Sequence, residues 1–237
     1  MNSGIEISLN NMDQNINIKS DTYHNSNGYN VPRVTEILST MIHSDNLMYW
    51  ANSLGFKGKS YRSVLNLAAD IGSSAHLAIQ KFLEDKIQTY SNIPFLGFML
   101  WYNIVTKDKG ISVDVVYVEH TLVCEWFGGT LDCLMRIGNS VYLIDFKTSN
   151  HVTFKYFLQL AAYRYMLRTV EGIEINGVIV LQLDKEEPGF NEYLLNFNIE
   201  EHLSFINHCE TTFLSLVFGF YNIKKAEEMY KNIFHNK

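Results

Sequence analysis

The sequence predicts an α/β fold, with a central mixed β-sheet of about five strands flanked by helices on both faces. Three observations carry this expectation. Apolar, β-branched runs recur at 113–118, 130–137, 141–148, 178–183 and 192–197. Segments patterned at three- and four-residue steps precede these runs and alternate with the later ones. The run 141–148 is apolar on both sides, with Val141 and Leu143 on one face and Tyr142, Ile144 and Phe146 on the other. A strand of that kind belongs in the middle of a sheet covered twice by helices.

Composition sets the bounds. The chain has 237 residues, 47% of them hydrophobic, enough for a sizeable core in one large domain. No apolar run of transmembrane length occurs, so no membrane span is expected. A net charge of −6 argues against a surface coated in positive charge for duplex DNA, and leaves room for a local basic groove. Cys124, Cys133 and Cys209 stand far apart in no paired or C-x-x-C pattern. They read as reduced thiols of an intracellular chain. The polar N-terminus fits neither a secretory signal nor a transit peptide. The expected location is cytoplasmic, the host cytoplasm if the chain is virus-encoded.

Residues 1–30, rich in Asn, Ser and Asp, read as a mobile arm or an edge strand. Residues 31–237 read as one domain, with a helical part over 31–110 and a sheet core over 111–216. Thr35 is a candidate N-cap for a helix over 36–41, and Asp45 for one over 46–54 that stops at Gly55. The basic loop 56–60 reads as a solvated turn that could touch phosphate. The span 61–86 is helical, with Leu65, Ala69, Gly72, His76, Ile79 and Leu83 along one stripe. Gly72, Ser73 and Ser74 can divide it in two. His76 is the one titratable group on that stripe, and spacing alone leaves it either a hydrogen-bonded core histidine or a ligand. The aromatics of the next helix, 95–106, read as core.

The strand 113–118, which can continue to 125, leads through a bend at Gly128-Gly129 to the strand 130–137. Gly138-Asn139 then suits a two-residue hairpin turn. Counting outward from that turn, Asp132 lies as far from Ile137 as Asp145 lies from Ser140, so the two aspartates oppose each other. Opposed side chains leave the sheet on the same face, with Cβ atoms about 4.5–5.5 Å apart. Lys147, two residues past Asp145, shares that face. The helix 155–169 follows, with Gln159, Ala162, Tyr163 and Met166 on one side. Two more strands are joined by the polar loop 184–189, then come a helix over 200–216 and a mixed-charge tail over 221–237 that is helical or frayed.

Two facing carboxylates in a dry place repel, and a divalent cation relieves both the repulsion and the cost of burial. The bland alternative is a structural Asp–Lys pair with Asp132 solvated at a strand edge. Hard oxygen donors suit Mg²⁺ or Mn²⁺ and substrate phosphates. Lys147 could orient a water and offset developing charge, so phosphodiester hydrolysis by in-line attack is the expected reaction. The phosphate loop of NTPases, H-E-x-x-H, G-x-S-x-G and the two-His, one-carboxylate set are all missing from the sequence.

These residues resemble a family. Asp132 followed by Asp145-Phe146-Lys147 is similar to the core of the PD-(D/E)XK nuclease superfamily, with Leu131 where its motif has proline. Gln159-Leu-Ala-Ala-Tyr163 resembles the Q-x-x-x-Y helix of the RecB-nuclease branch, and Gly72-Ser-Ser-Ala-His76 its upstream histidine motif. The motif order is similar to that of phage exonucleases and the mitochondrial genome-maintenance exonuclease. The resemblance spans roughly Val31 to Leu183 and implies a restriction-endonuclease-like core. It implies that His76, Asp132, Asp145 and the Phe146 carbonyl bind the metal and that Lys147 serves catalysis. Gln159 and Tyr163 would brace the site or contact DNA, whereas ordinary helix–sheet packing explains them equally well from the residues alone. Glu119 is a secondary acid, near the site or solvated. Three scattered cysteines cannot supply the four-cysteine iron–sulfur cluster of some relatives, so no cluster is expected. The implied function is a metal-dependent deoxyribonuclease, an exonuclease on single-stranded or end-exposed DNA in replication, recombination or repair. An endonuclease with the same site, or a non-catalytic nucleic-acid-binding protein of the same fold, are the alternatives.

Overall fold

The computed structural model describes residues 23–42, 45–58 and 60–235. Two short strands, β1 (Tyr23–His24) and β2 (Asn30–Val31), form an antiparallel hairpin. Helices α1 (Val34–Met41), α2 (Asp45–Phe56), α3 (Tyr61–Asp85) and α4 (Ile93–Asn103) follow, and α4 runs on into a π-helical turn, Ile104–Asp108. Then come β3 (Val113–Val123), β4 (Gly128–Ile137), β5 (Ser140–Lys147), α5 (Phe154–Val170), β6 (Gly177–Leu183), β7 (Phe190–Asn196) and α6 (Glu200–Phe234). The second sheet has five strands in the order β3-β4-β5-β6-β7. Only β5 and β6 run parallel, joined through α5, so the sheet is mixed and flanked by helices as its sequence predicts.

Two apolar layers hold the sheet. On one face, Leu134, Val141, Leu143, Val178 and Val180 pack against α1, α5 and α6. On the other, Cys133, Met135, Ile144, Phe146, Ile179 and Leu181 pack against α3 and α4. Strand β5 feeds both layers, which is why its sequence is apolar on alternate and intervening positions alike. The α4 aromatics Phe95, Phe98 and Trp101 are core residues, as expected. Arg164 and Arg168 of α5 both pair with Glu210 of α6, at 3.2 and 2.6 Å, and clamp the two helices together.

Several local expectations are corrected. The arm expected over 1–30 lies outside the described residues up to residue 22, but from Tyr23 it is an ordered hairpin. The Tyr23 hydroxyl bonds Thr130 at 3.0 Å and the Asn25 amide donates to the Glu125 carbonyl at 3.0 Å, which pins the hairpin to the start of β4. Thr35 is not a cap: α1 starts at Val34 behind Arg33, without a side-chain cap bond. Gly72 does not divide α3, which is one helix capped by Ser60, whose hydroxyl accepts from the Ser63 N–H. Its buried residues are Ala75, Ile79, Phe82 and Leu83, while Leu65 and Ala69 at the head of the expected stripe are exposed. The tail over 221–237, expected to be helical or frayed, is helical to Phe234 and continues α6 unbroken. Part of the loop 56–60 lies outside the described residues, as does the side chain of Asp45. Among the described residues no helix is long and apolar enough to cross a membrane.

The hairpin that positions the site has the expected register. Ile137 pairs with Ser140, and the ladder runs back to Cys133 opposite Ile144. Gly138 takes φ +60, the left-handed conformation a glycine-first II′ turn requires. Asp132 and Asp145 are the next pair outward, one step beyond the last ladder pair.

Candidate metal centre

At that step side chains take over from the ladder. Asp132 Oδ2 accepts the Phe146 N–H at 2.8 Å, a bond that backbone pairing would otherwise supply. Asp145 Oδ1 accepts from Lys147 Nζ at 2.7 Å. Asp145 is only 2% exposed, and its second oxygen is buried with no hydrogen-bond partner among the described residues. A buried carboxylate oxygen left unpartnered is costly and points to a missing positive charge.

From the opposite layer, α3 brings His76 to the same place. Its Nε2 lies 3.0 Å from the Phe146 carbonyl. Its Nδ1 lies 3.4 Å from Glu119 Oε1 and 3.6 Å from Asp132 Oδ1. Oxygen on both sides suits an imidazolium, which can donate at both nitrogens. Burial disfavours that charge, but the Glu119 hydrogen bond and the Asp132 charge outweigh it, and the pKa rises to about 9. Asp132 is also shifted upward, which for a carboxyl favours the neutral form. Burial first, then the like charge of Asp145, raises its pKa to about 7, although His76 and Lys147 pull it down. Lys147 pays a burial penalty that Asp145 and Asp132 overcome, so its ammonium is held above the ordinary lysine range. Its Nζ also sits 5.0 Å from the Tyr156 ring centroid, a cation–π contact.

Glu119, expected either near the site or solvated, approaches it. Its pairing neighbours Val118↔Cys133 and His120↔Leu131 bracket it opposite Asp132. It has φ +46, a left-handed conformation inside a strand that L side chains avoid. Such strain persists where surrounding contacts over-determine it, and it concentrates at functional sites. Ligand atoms of His76, Glu119 and Asp132 all lie within 4.8 Å of one another. The expected set was His76, Asp132, Asp145 and the Phe146 carbonyl. The structure gathers the first two with Glu119, while Asp145 is engaged by Lys147 just behind them. The alternation of 113–118 hides this, because Val116 is an extra residue in β3 that shifts its register against β4.

Gln159 and Tyr163 stand behind the candidate ligands. Gln159 Nε2 is 3.5 Å from the Tyr163 hydroxyl. Tyr163 is 4% exposed, and burial, reinforced by the charges of Asp132 and Asp145, pushes its pKa up although the Gln159 hydrogen bond pulls it back. Its ring rests on Gly129, where a Cβ would lie 2.6 Å from Cε1. The bend expected at Gly128-Gly129 is not there: both glycines pair in β4 with Val123 and Leu122 and the chain turns at 124–127, so Gly129 serves instead to make room for the ring. The site opens to solvent through a cleft lined by Ala69, Gly72, Ser73, His76 and Gln80 of α3 and by Glu119.

The gathered groups are one imidazole and two carboxylates, with the Phe146 carbonyl and the orphaned Asp145 oxygen beside them. Hard oxygen donors of this kind fit a magnesium or manganese ion rather than a thiolate-seeking metal. No protein-family model matches the chain, and no curated protein matches it. Among solved structures it is similar to LHK-Exo, an alkaline exonuclease from Laribacter hongkongensis, in complex with dAMP. That match has 11% identity, 84% of this chain and 94% of that one, and a TM-score of 0.38. It is also similar to a phage related exonuclease from Haemophilus somnus 129PT, at 11% identity over 87% of this chain and 97% of that one, with a TM-score of 0.34. With TM-scores this low, the chemistry rests on this chain's own side chains.

Proposed function

We propose that this chain is a Mg²⁺- or Mn²⁺-dependent deoxyribonuclease, an exonuclease acting on single-stranded or end-exposed DNA. The observation that carries this reading is the pairing of a carboxylate cluster with one held ammonium. Glu119 and His76 line the cleft with Asp132 against them, Asp145 anchors Lys147 beside them, and one Asp145 oxygen has no hydrogen-bond partner among the described residues. The order of motifs from His76 through Asp132 and Asp145-Phe146-Lys147 to Gln159 and Tyr163 supports a nuclease over other phosphate chemistry.

Each residue has a physical task in such a reaction. Asp132, Glu119 and His76 would hold the cation, with the Asp145 oxygen and the Phe146 carbonyl behind them. A cation there supplies Lewis-acid polarisation of the phosphoryl group and neutralises charge on its oxygens. His76 must release a proton to become a ligand, and Asp132 must be ionised. Lys147, fixed by Asp145 and Tyr156, is a charged donor placed to orient the attacking water and to stabilise negative charge as it develops. Burial of Asp145 and Tyr163 keeps water out from behind the reacting groups, which strengthens these interactions. Gln159 and Tyr163 hold the carboxylates in position.

The test is digestion of 5′- and 3′-labelled single- and double-stranded DNA with Mg²⁺ or Mn²⁺, beside a closed single-stranded circle. Metal-dependent loss of label from linear DNA, an intact circle and no cleavage by Lys147→Ala are expected. A cut circle would make the chain an endonuclease. Wild-type rates in Lys147→Ala would sink the mechanism.

A further inference from the structure

Beyond the metal centre, the chain carries a second concavity. Beside the end of β5, Thr148, Ser149 and Asn150 face the β6–β7 hairpin across a cavity of about 450 Å³, within the size range of small-molecule sites. Its polar wall is built. The Gln182 amide, 9% exposed, donates to the Ser149 carbonyl at 2.7 Å and accepts from Asn191 at 3.2 Å and from the Tyr193 hydroxyl at 3.4 Å. The hairpin loop is fixed as well. Asp184 Oδ1 accepts the Glu186 N–H at 2.7 Å, and the Asp184 N–H donates to the Gly189 carbonyl at 3.1 Å. Gly189 in turn lies so close to Gly97 of α4 that no side chain fits between them.

The position of this cavity decides its use. Thr148 lines it and is the residue after Lys147. The Thr148 hydroxyl is also the nearest atom to Gly72, 3.5 Å from where a Cβ would stand. Gly72 lines the cleft that holds His76 and Glu119. Cleft and cavity thus lie on two sides of one contact, with Lys147 next to it. A polynucleotide with its scissile phosphate at the centre must place one nucleotide on each side.

The lining says which part of a nucleotide fits. Gln182 holds the wall together, while Asn150 and Asn191 line the cavity with amides, which both donate and accept and so can meet the edge of any base. Phe190 adds an aromatic wall of the kind on which bases pack. The loop, however, carries Asp184, Glu186 and Glu187 against one Lys185. That balance accepts an uncharged nucleoside and repels a further phosphate.

We propose that the cavity between residues 148–150 and the β6–β7 hairpin is a subsite for the terminal nucleoside of a DNA strand, closed to the next phosphate by the acidic loop. This rests on the nuclease reading above and deepens it: the acidic loop would be what makes a strand end, rather than an internal linkage, the preferred substrate.

The experiment is a binding measurement without metal, on the full chain in EDTA, with 2′-deoxyadenosine and 2′-deoxyadenosine 3′,5′-bisphosphate as probes. Saturation-transfer NMR titrations give both dissociation constants. The nucleoside is expected to bind more tightly than the bisphosphate. Asn191→Leu, on the outer strand β7, should weaken nucleoside binding about 10-fold, as removal of a base-reading amide does. Reversing the loop charge with Glu186→Lys and Glu187→Lys, both exposed, should leave nucleoside binding unchanged and bring the bisphosphate to equal or tighter binding. No nucleoside binding by the wild type, or identical constants in wild type and all variants, overturns the proposal. The cleavage assay with Lys147→Ala separates the two readings. Intact metal-dependent cleavage without nucleoside binding removes the subsite alone, and nucleoside binding with Lys147-independent cleavage removes the mechanism alone.

Discussion

Asp132→Asn should make the metal-free protein more stable at pH 8, although it removes a group from the candidate centre. The Asp132 carboxyl is held at about 7, against an ordinary 3.8, by burial and by Asp145. A group whose folded pKa is raised stabilises the fold when protonated. Its contribution is fully present below about pH 4 and is lost as pH rises through 7. Each tenfold in proton affinity is worth about 1.4 kcal/mol, so ionising Asp132 in the folded chain costs at most about 4 kcal/mol. His76 returns part of this, because a neutral neighbour no longer supports its charge. A net gain of about 2 kcal/mol remains, or about 4–8 °C in melting temperature for a chain of this size. Asparagine retains an oxygen for the Phe146 N–H, so the bond at 2.8 Å survives. The assay is a thermal melt in EDTA at pH 8 and pH 4. The variant should be the more stable at pH 8, with the difference gone at pH 4. Added Mn²⁺ should raise the wild-type melting temperature at pH 8 and leave the variant nearly unmoved. A variant less stable than wild type at pH 8 would refute the electrostatic account.

Three further outcomes follow from the same geometry. Lys147→Ala strips the Asp145 carboxylate of its only hydrogen-bond partner among the described residues and should cost about 3 kcal/mol in EDTA; adding Asp145→Asn should restore most of that while cleavage stays at least about 100-fold down. Urea melts of the double-mutant cycle check this, and additive losses would contradict it. Glu119→Gly should relieve a strained φ and stabilise the metal-free fold by about 1 kcal/mol, while the thermal shift on adding Mn²⁺ shrinks. An unchanged metal shift would remove Glu119 from the centre. Gly129→Ala places a Cβ 2.6 Å from the buried Tyr163 ring; it should cost about 1–3 kcal/mol and slow cleavage about 10-fold or more through the displaced Gln159–Tyr163 pair. Wild-type stability and rate together would show that Tyr163 has no bracing role.

What could be read from the sequence alone was local or set by a local constraint. The Gly138-Asn139 turn specifies its own register, because a two-residue loop leaves one way to pair the strands it joins. That register aligned Asp132 with Asp145 and put Lys147 on their face without any knowledge of the rest of the chain. The apolar pattern of β5 likewise announced a covered central strand, since both its faces had to be buried. Helix ends were less legible, as at Thr35 and Gly72, because packing against the sheet overrides weak capping and breaking signals.

The tertiary structure alone decided how distant parts converge. It brought His76 from α3 across to the hairpin, where the two apolar layers meet. It moved Glu119 into the centre through an extra residue at Val116 and a left-handed backbone, neither of which has a signature in the order of side chains. It also assigned Asp145 to Lys147 and left one oxygen of that carboxylate alone, an outcome of burial rather than of spacing. The hairpin's chemistry was therefore written in the sequence, while the composition of the centre around it depended on long-range packing that sequence periodicity does not encode.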